Sequence, residues 1–241
     1  GIGKTAIMEQ VAKECEIGLV AYTITHHTRQ SAVGLPLIKN EVFGGKEYAV
    51  TEYTMSEIIA AVYEVMEDTG IREGILFLDE ISATPQSLQA AAYQIALDKR
   101  IGEFELPANC IVICAGNRTT DRSVAFRMPK ALANRLLHIE ILSDFDSWYE
   151  WALQHKIDKR ILGYLAFDNS RLNVEPDIEE LAFPTPRSWE FVSKLLQITE
   201  KTPGEMHSLI SGCVGVSTAL EFEHWCNVYD KLPNTADILA G

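Results

Sequence analysis

The chain has 241 residues, enough for one large domain or two smaller ones, and 47% hydrophobic against 23% charged residues marks it as globular rather than disordered. A formal net charge of −13, with no run of Lys or Arg, argues against a nucleic-acid or anionic-membrane surface, which needs clustered cations to displace counterions. The five cysteines contain no C-x-x-C pair and fit no complete disulfide set, so a reducing, cytoplasmic setting is expected; no apolar stretch is long enough to cross a membrane.

The opening Gly1-Ile2-Gly3-Lys4-Thr5 matches the second half of a phosphate-binding loop, G-x-x-x-x-G-K-[ST], whose first half would precede residue 1. Its glycines let backbone N–H groups wrap phosphate oxygens, Lys4 adds a point charge, and the Thr5 hydroxyl suits Mg²⁺. Ile7, Met8, Val11 and Ala12 then keep helical spacing, so a helix is predicted to aim its positive end at the phosphates.

Leu19 to Ile24 reads as a short strand. Residues 28–51, with Gly34, Pro36, Gly44 and Gly45, lack sustained periodicity and read as a long loop. His26 and His27 are adjacent rather than one turn apart and read as polar loop residues. Thr54-Met55-Ser56-Glu57 has the spacing of a capping box, opening a helix through Ile58, Ile59, Val62, Val65 and Met66 that Gly70 closes.

Ile75-Leu76-Phe77-Leu78-Asp79-Glu80 organises the rest. Four consecutive large apolar residues are too many for a strand with one wet face, so this strand is predicted to be central in a parallel sheet. Asp79 and Glu80 at its carboxyl end border the crevice where open α/β sheets bind ligands, and paired acids there can hold Mg²⁺ and polarise water. Thr84-Pro85 should start another helix, with proline at its first position and Leu88, Ala91, Ala92 and Ile95 facing inward. Residues 100–108 suggest a turn or small hairpin.

Cys110 to Ala115 is a third apolar strand, ending in Gly116-Asn117-Arg118; Asn117 at that end can orient a water, although Gly-Asn is also a common turn pair. After a short helix at 129–134, Arg135 leads into 136–141, whose alternation of Leu137, Ile139 and Ile141 predicts an edge strand. From 146 to 241 the pattern is all-helical, which places a domain boundary near 145. In Phe183-Pro184-Thr185-Pro186-Arg187, Thr185 can cap and Pro186 can start a helix. Arg187 then opposes the helix dipole in the first turn unless an anion, such as a nucleotide phosphate, compensates; stacking on Trp189 is the alternative that needs no ligand.

The order of these motifs resembles the AAA+ ATPases: phosphate loop, Asp-Glu strand, strand ending in Asn, arginine after a short helix, arginine in a helical lid. Gly34-Leu35-Pro36, Ala115-Gly116-Asn117-Arg118, Ala131-Leu132-Ala133-Asn134-Arg135 and Pro184-Thr185-Pro186-Arg187 resemble the MoxR-type branch. The resemblance implies a P-loop NTPase core at 1–145, a three-layer α/β/α arrangement with a parallel sheet, and a helical lid at 146–241. It also implies that the central strand precedes Gly1 and leaves a gap between 136–141 and 110–115.

For the site, the resemblance implies ATP held by Gly1, Ile2, Gly3, Lys4, Thr5 and Ala6, and Mg²⁺ held by Thr5 and Asp79. Glu80 would polarise the attacking water, Asn117 would position it, and Arg187 would sense the γ-phosphate. Arg135 would be the finger inserted into a neighbouring subunit of a homo-oligomeric ring, a hexamer, with Arg122 as runner-up. The implied activity is ATP hydrolysis driving chaperone-like remodelling of a protein partner, for this branch a von Willebrand factor A-domain protein. Thr120-Asp121-Arg122-Ser123 also resembles the McrB-like branch, which keeps a nucleic-acid-directed GTPase open; a nucleotide-dependent scaffold without turnover is the third reading.

Overall fold

The computed structural model describes residues 3–26, 28–116, 128, 130–175, 180–199, 201–229 and 231. The chain divides into two compact units, one of Lys4–Ile139 and one of Glu140–Gly241 together with Gly1–Gly3. The first is built on three parallel strands, β1 (Gly18–Thr23), β4 (Gly74–Asp79) and β7 (Cys110–Cys114), in the order β1-β4-β7. β4 lies in the middle, as its unbroken apolar run requires. Its alternate residues face opposite layers: Ile75 and Phe77 meet Met8 and Val11 of helix α1 (Lys4–Glu14), while Leu76 and Leu78 join the core of helices α3 (Glu57–Thr69) and α4 (Gln86–Asp98). Leu76 and Leu78 are wholly buried and Phe77 nearly so, worth about 1.5–3 kcal/mol each in removed apolar surface. This is an α/β core with helices on both faces of a parallel sheet.

Four local expectations are corrected. Residues 28–51 are not a loop. Thr28 caps a short helix, α2 (Arg29–Val33), through a capping box with Ser31, and two antiparallel strands come next, β2 (Pro36–Phe43) and β3 (Lys46–Tyr53). Gly44 and Gly45, at φ 61° and 81°, make the two-residue turn that only residues without Cβ enter freely. The cap of α3 is Ser56, whose Oγ accepts from Ile58 N at 3.2 Å. Thr54 instead closes the base of the hairpin, its Oγ1 accepting from Leu35 N at 2.9 Å and its N donating to Leu35 O at 2.9 Å.

Pro85 caps α4 rather than starting it. Residues 137–144 form no strand: Leu137 is 88% and Ile139 78% exposed, so the alternation there has no sheet partner to satisfy its backbone. β7 is therefore the outer strand of the described sheet, with Ile111 59% exposed. Two very short strands, β5 (Arg100–Ile101) and β6 (Phe104–Glu105), supply the small hairpin expected at 100–108, and α5 (Lys130–Ala133) precedes Arg135.

Gly34 sits at φ 98°, and a Cβ there would stand 2.0 Å from Thr54 O. Backbone cannot yield as a side-chain tip can, so Gly34→Ala is expected to cost about 2–4 kcal/mol, read as a lowered urea midpoint. A second expectation concerns β7. Burial pushes the Cys114 thiol up to about 11 and raises Cys110 as well. The folded state thus keeps protons that the unfolded chain releases near pH 9. The associated stability is complete below that pH and drains away as pH rises through about 11, a loss of about 2–3 kcal/mol. Urea titrations between pH 8 and 11 measure it, and at pH 8 a thiol reagent should modify exposed Cys15 well before Cys114.

The second unit is helical: α6 (Phe145–Gln154), α7 (Lys159–Phe167), α8 (Pro186–Gln197), α9 (His207–Val214) and α10 (Val216–Tyr229). Its centre is Trp189, wholly buried, with the Phe222 ring edge-on at 5.5 Å and the Tyr164 ring tilted at 5.6 Å; Trp189 Nε1 donates to Arg171 O at 2.8 Å. No helix among the described residues is long and apolar enough to cross a membrane.

Candidate functional site

Parallel pairing in register, Thr23 opposite Asp79 and Leu78 opposite Cys114, brings the carboxyl ends of all three core strands to one edge. The residues just past each strand therefore converge: Thr25 after β1, Asp79 and Glu80 at the end of β4, Gly116 after β7. The amino end of α1 arrives at the same edge.

Thr5 Oγ1 donates to Asp79 Oδ2 at 3.0 Å, and Lys4 Nζ donates to Gly116 O at 2.8 Å. Gly3, at φ 80°, turns the chain into α1 where a side chain would strain it. The first turn of α1 holds no acid, and Lys4 places a cation on the positive end of the dipole. That arrangement costs about 0.3–1 kcal/mol unless an anion sits there. Ala6 is exposed in the same turn.

Asp79 is half-buried and divides its two oxygens. Oδ2 takes the Thr5 hydroxyl and Oδ1 accepts from Glu80 N at 2.8 Å. Glu80 is exposed and adopts a left-handed backbone, φ 58°, ψ 31°, rare for a residue with a side chain. Its Oε2 accepts from Thr25 Oγ1 at 2.8 Å. Ile81 N donates to Ala115 O at 2.9 Å, tying the turn after β4 to the end of β7. Gly116 packs so closely there that a Cβ would stand 3.0 Å from Ser82.

A hydroxyl and a carboxylate 3.0 Å apart form a hard oxygen pair that suits Mg²⁺, an ion usually held by one or two carboxylates together with phosphate and water. Among the described residues no group of three or more His, Cys, Asp and Glu gathers.

The structure brings together Lys4, Thr5, Asp79 and Glu80, with Ala6 in the same helical turn as Lys4 and Thr5. Arg135 is exposed in the turn after α5, where Asn134 N donates to Lys130 O and His138 Nε2 meets Ala133 O at 2.8 Å. Arg187 belongs to the helical unit. It is exposed at the second position of α8, behind a capping box in which Thr185 Oγ1 accepts from Ser188 N at 3.0 Å and Ser188 Oγ accepts from Thr185 N at 2.7 Å. Trp189 is fully buried and offers no open face on which Arg187 can stack. Gly1, Ile2, His27, Asn117, Arg118 and Arg122 lie outside the described residues.

Thr25 and the Gly116 carbonyl are the site groups that sequence reasoning missed. The available signal was a hydroxyl directly after an apolar strand, at the same end as Asp79.

A family model, "ATPase family associated with various cellular activities (AAA)", matches residues 1–141. No curated protein matches the chain. Similar solved structures include a protein of Cytophaga hutchinsonii provisionally named an ATPase, 14% identical over 66% of this chain and 44% of that one, with a TM-score of 0.40. NtrX from Brucella abortus is 13% identical over 93% of this chain and 62% of its own, with a TM-score of 0.38. The chain thus spans less than two thirds of either structure.

Proposed function

The chain belongs to the AAA ATPase family, and from that premise we propose that it is an ATP-hydrolysing molecular machine of the MoxR-like branch, working in the cytosol. The observation that carries the reading is the 3.0 Å approach of Thr5 Oγ1 to Asp79 Oδ2, with Glu80 on the next residue. Gly1 to Ala6 bind the triphosphate, Lys4 exchanging the Gly116 carbonyl for β- and γ-phosphate oxygens. Thr5 and Asp79 would hold Mg²⁺. When bound, the ion supplies positive charge beside the transferring phosphoryl group.

Glu80 takes the proton of the attacking water, and the hydroxyl of Thr25 fixes the direction of its carboxylate. Asn117 orients that water. Arg187 reads the γ-phosphate from the lid, and Arg135 stabilises the transition state in the neighbouring subunit of a homo-hexameric ring. The energy released remodels a protein partner, a von Willebrand factor A-domain protein. A carboxylate at the position of Glu80 has no task in a scaffold without turnover, which sets that reading aside, and the acidic charge balance disfavours the DNA-directed GTPase.

Phosphate release from ATP by the intact protein, with Mg²⁺ or with a chelator, is the test. Release is expected with Mg²⁺ only, and Lys4→Ala should abolish both release and ATP-analogue binding. Arg135→Ala subunits mixed with Lys4→Ala subunits should regain part of the activity, since each supplies what the other lacks. Metal-independent release, or a fully active Lys4→Ala, would sink the proposal; GTP outcompeting ATP would favour the McrB-like alternative.

A further inference from the structure

The helical unit carries a serine, a histidine and a glutamate joined by hydrogen bonds. His207 opens α9, Ser211 lies one turn later on the same face, and Glu223 lies on α10, which packs against α9. His207 Nδ1 is 2.6 Å from Glu223 Oε1, and His207 Nε2 is 3.2 Å from Ser211 Oγ. A carboxylate oxygen only accepts, so Nδ1 carries a proton. In the neutral imidazole Nε2 then presents a lone pair, and the Ser211 hydroxyl donates to it. Nucleophile, base and orienting acid are thus joined in hydrogen-bond order, the relation by which such sites are recognised on unrelated folds.

Accessibility runs in the same order. The Glu223 side chain is 12% exposed and that of His207 36%, so the acid is shielded while the base is reachable. Beside Ser211, exposed Gly212 has no atom of another element within 4 Å of where a Cβ would stand, which leaves the approach open on that side. Leu220, one turn before Glu223 on α10, is 46% exposed and offers apolar surface to an acyl chain.

We propose that Ser211, His207 and Glu223 form a nucleophilic site that cleaves small activated carboxylic esters. Ser211 Oγ bonds to the carbonyl carbon as its proton passes to His207 Nε2. The ester C–O bond breaks, and the leaving oxygen takes that proton. Water then attacks the acyl-serine, giving a proton to Nε2, which returns it to Ser211 Oγ as the acid departs. Glu223 keeps the ring oriented through Nδ1–H and stabilises the imidazolium. The site rests on the helical unit alone, so it stands or falls independently of nucleotide hydrolysis.

The test treats the intact protein with a fluorophosphonate probe, from which an attacking serine displaces fluoride, and tracks adducts by peptide mass spectrometry. Ser208 is the internal standard: it is exposed on the same helix, and no histidine bonds to it among the described residues. Ser211 is expected to label at least about 100-fold faster than Ser208, the scale of positioned base catalysis. Glu223→Gln, melting at the parental temperature, should lower that rate at least about 10-fold, in step with p-nitrophenyl butyrate hydrolysis. Equal labelling of the two serines in the parent protein overturns the proposal, and so does a rate indifferent to Glu223→Gln.

Discussion

Glu80→Gln is expected to lower Mg²⁺-dependent phosphate release by about 100-fold or more while nucleotide binding survives, because positioned proton transfer contributes on that scale. The substitution is the right probe because of what it leaves alone. The glutamine amide keeps an oxygen for Thr25 Oγ1, which lies 2.8 Å from the carboxylate, but it cannot take a proton from water at neutral pH. Asp79 and Thr5 keep their contact, so the pair that would hold the metal is unchanged. A parent-like rate would remove Glu80 from the chemistry.

The backbone sharpens the same experiment. At φ 58°, ψ 31° a residue with a Cβ carries about 1–2 kcal/mol of strain that glycine does not. Glu80→Gly should therefore unfold at no lower urea concentration than the parent, yet fail to turn over. Stability retained with activity lost would identify that turn as shaped for chemistry rather than for folding.

Trp189→Ala is expected to cost the helical unit about 3–5 kcal/mol. The side chain is wholly buried, two rings lie within 5.6 Å of its own, and its removal strands the Arg171 carbonyl that its indole N–H satisfies at 2.8 Å. Urea unfolding monitored by far-UV circular dichroism measures the loss. A change under about 1 kcal/mol would mean that the core closes over the gap. Arg187→Ala is the control: exposed and set against the helix dipole, it should change stability by no more than about 0.5 kcal/mol either way.

The central strand was legible because its signal is one of quantity: four large apolar residues in a row cannot be wetted on either side, whatever surrounds them. That Thr5 would meet Asp79, and Lys4 the end of β7, was legible because a phosphate-loop pattern and an acid-tipped strand restrict residue type and spacing together. The hairpin at 36–53 was not, since both of its faces are largely exposed and its strands show no clean alternation. Gly44-Gly45 was the one cue, and a two-glycine turn says little without flanking strands. Residues 136–141 failed in the opposite way: Leu137, Ile139 and Ile141 alternate as a strand would, but alternation does not supply a neighbour with free backbone groups. Thr25 was invisible because its partner, Glu80, is brought close only by strand register.

The Pro36–Tyr53 hairpin has a consequence of its own. Its backbone ladder is satisfied internally by two strands, and little of its apolar surface is hidden, so Ile38, Val42, Phe43 and Tyr48 lose little by leaving. Such an element can melt and re-form while β1, β4 and β7 stay paired, which uncouples its local opening from collapse of the sheet. Insertions or a protease nick at Gly44-Gly45 would then be absorbed there, and length variation at that tip becomes the cheapest change this architecture can accept.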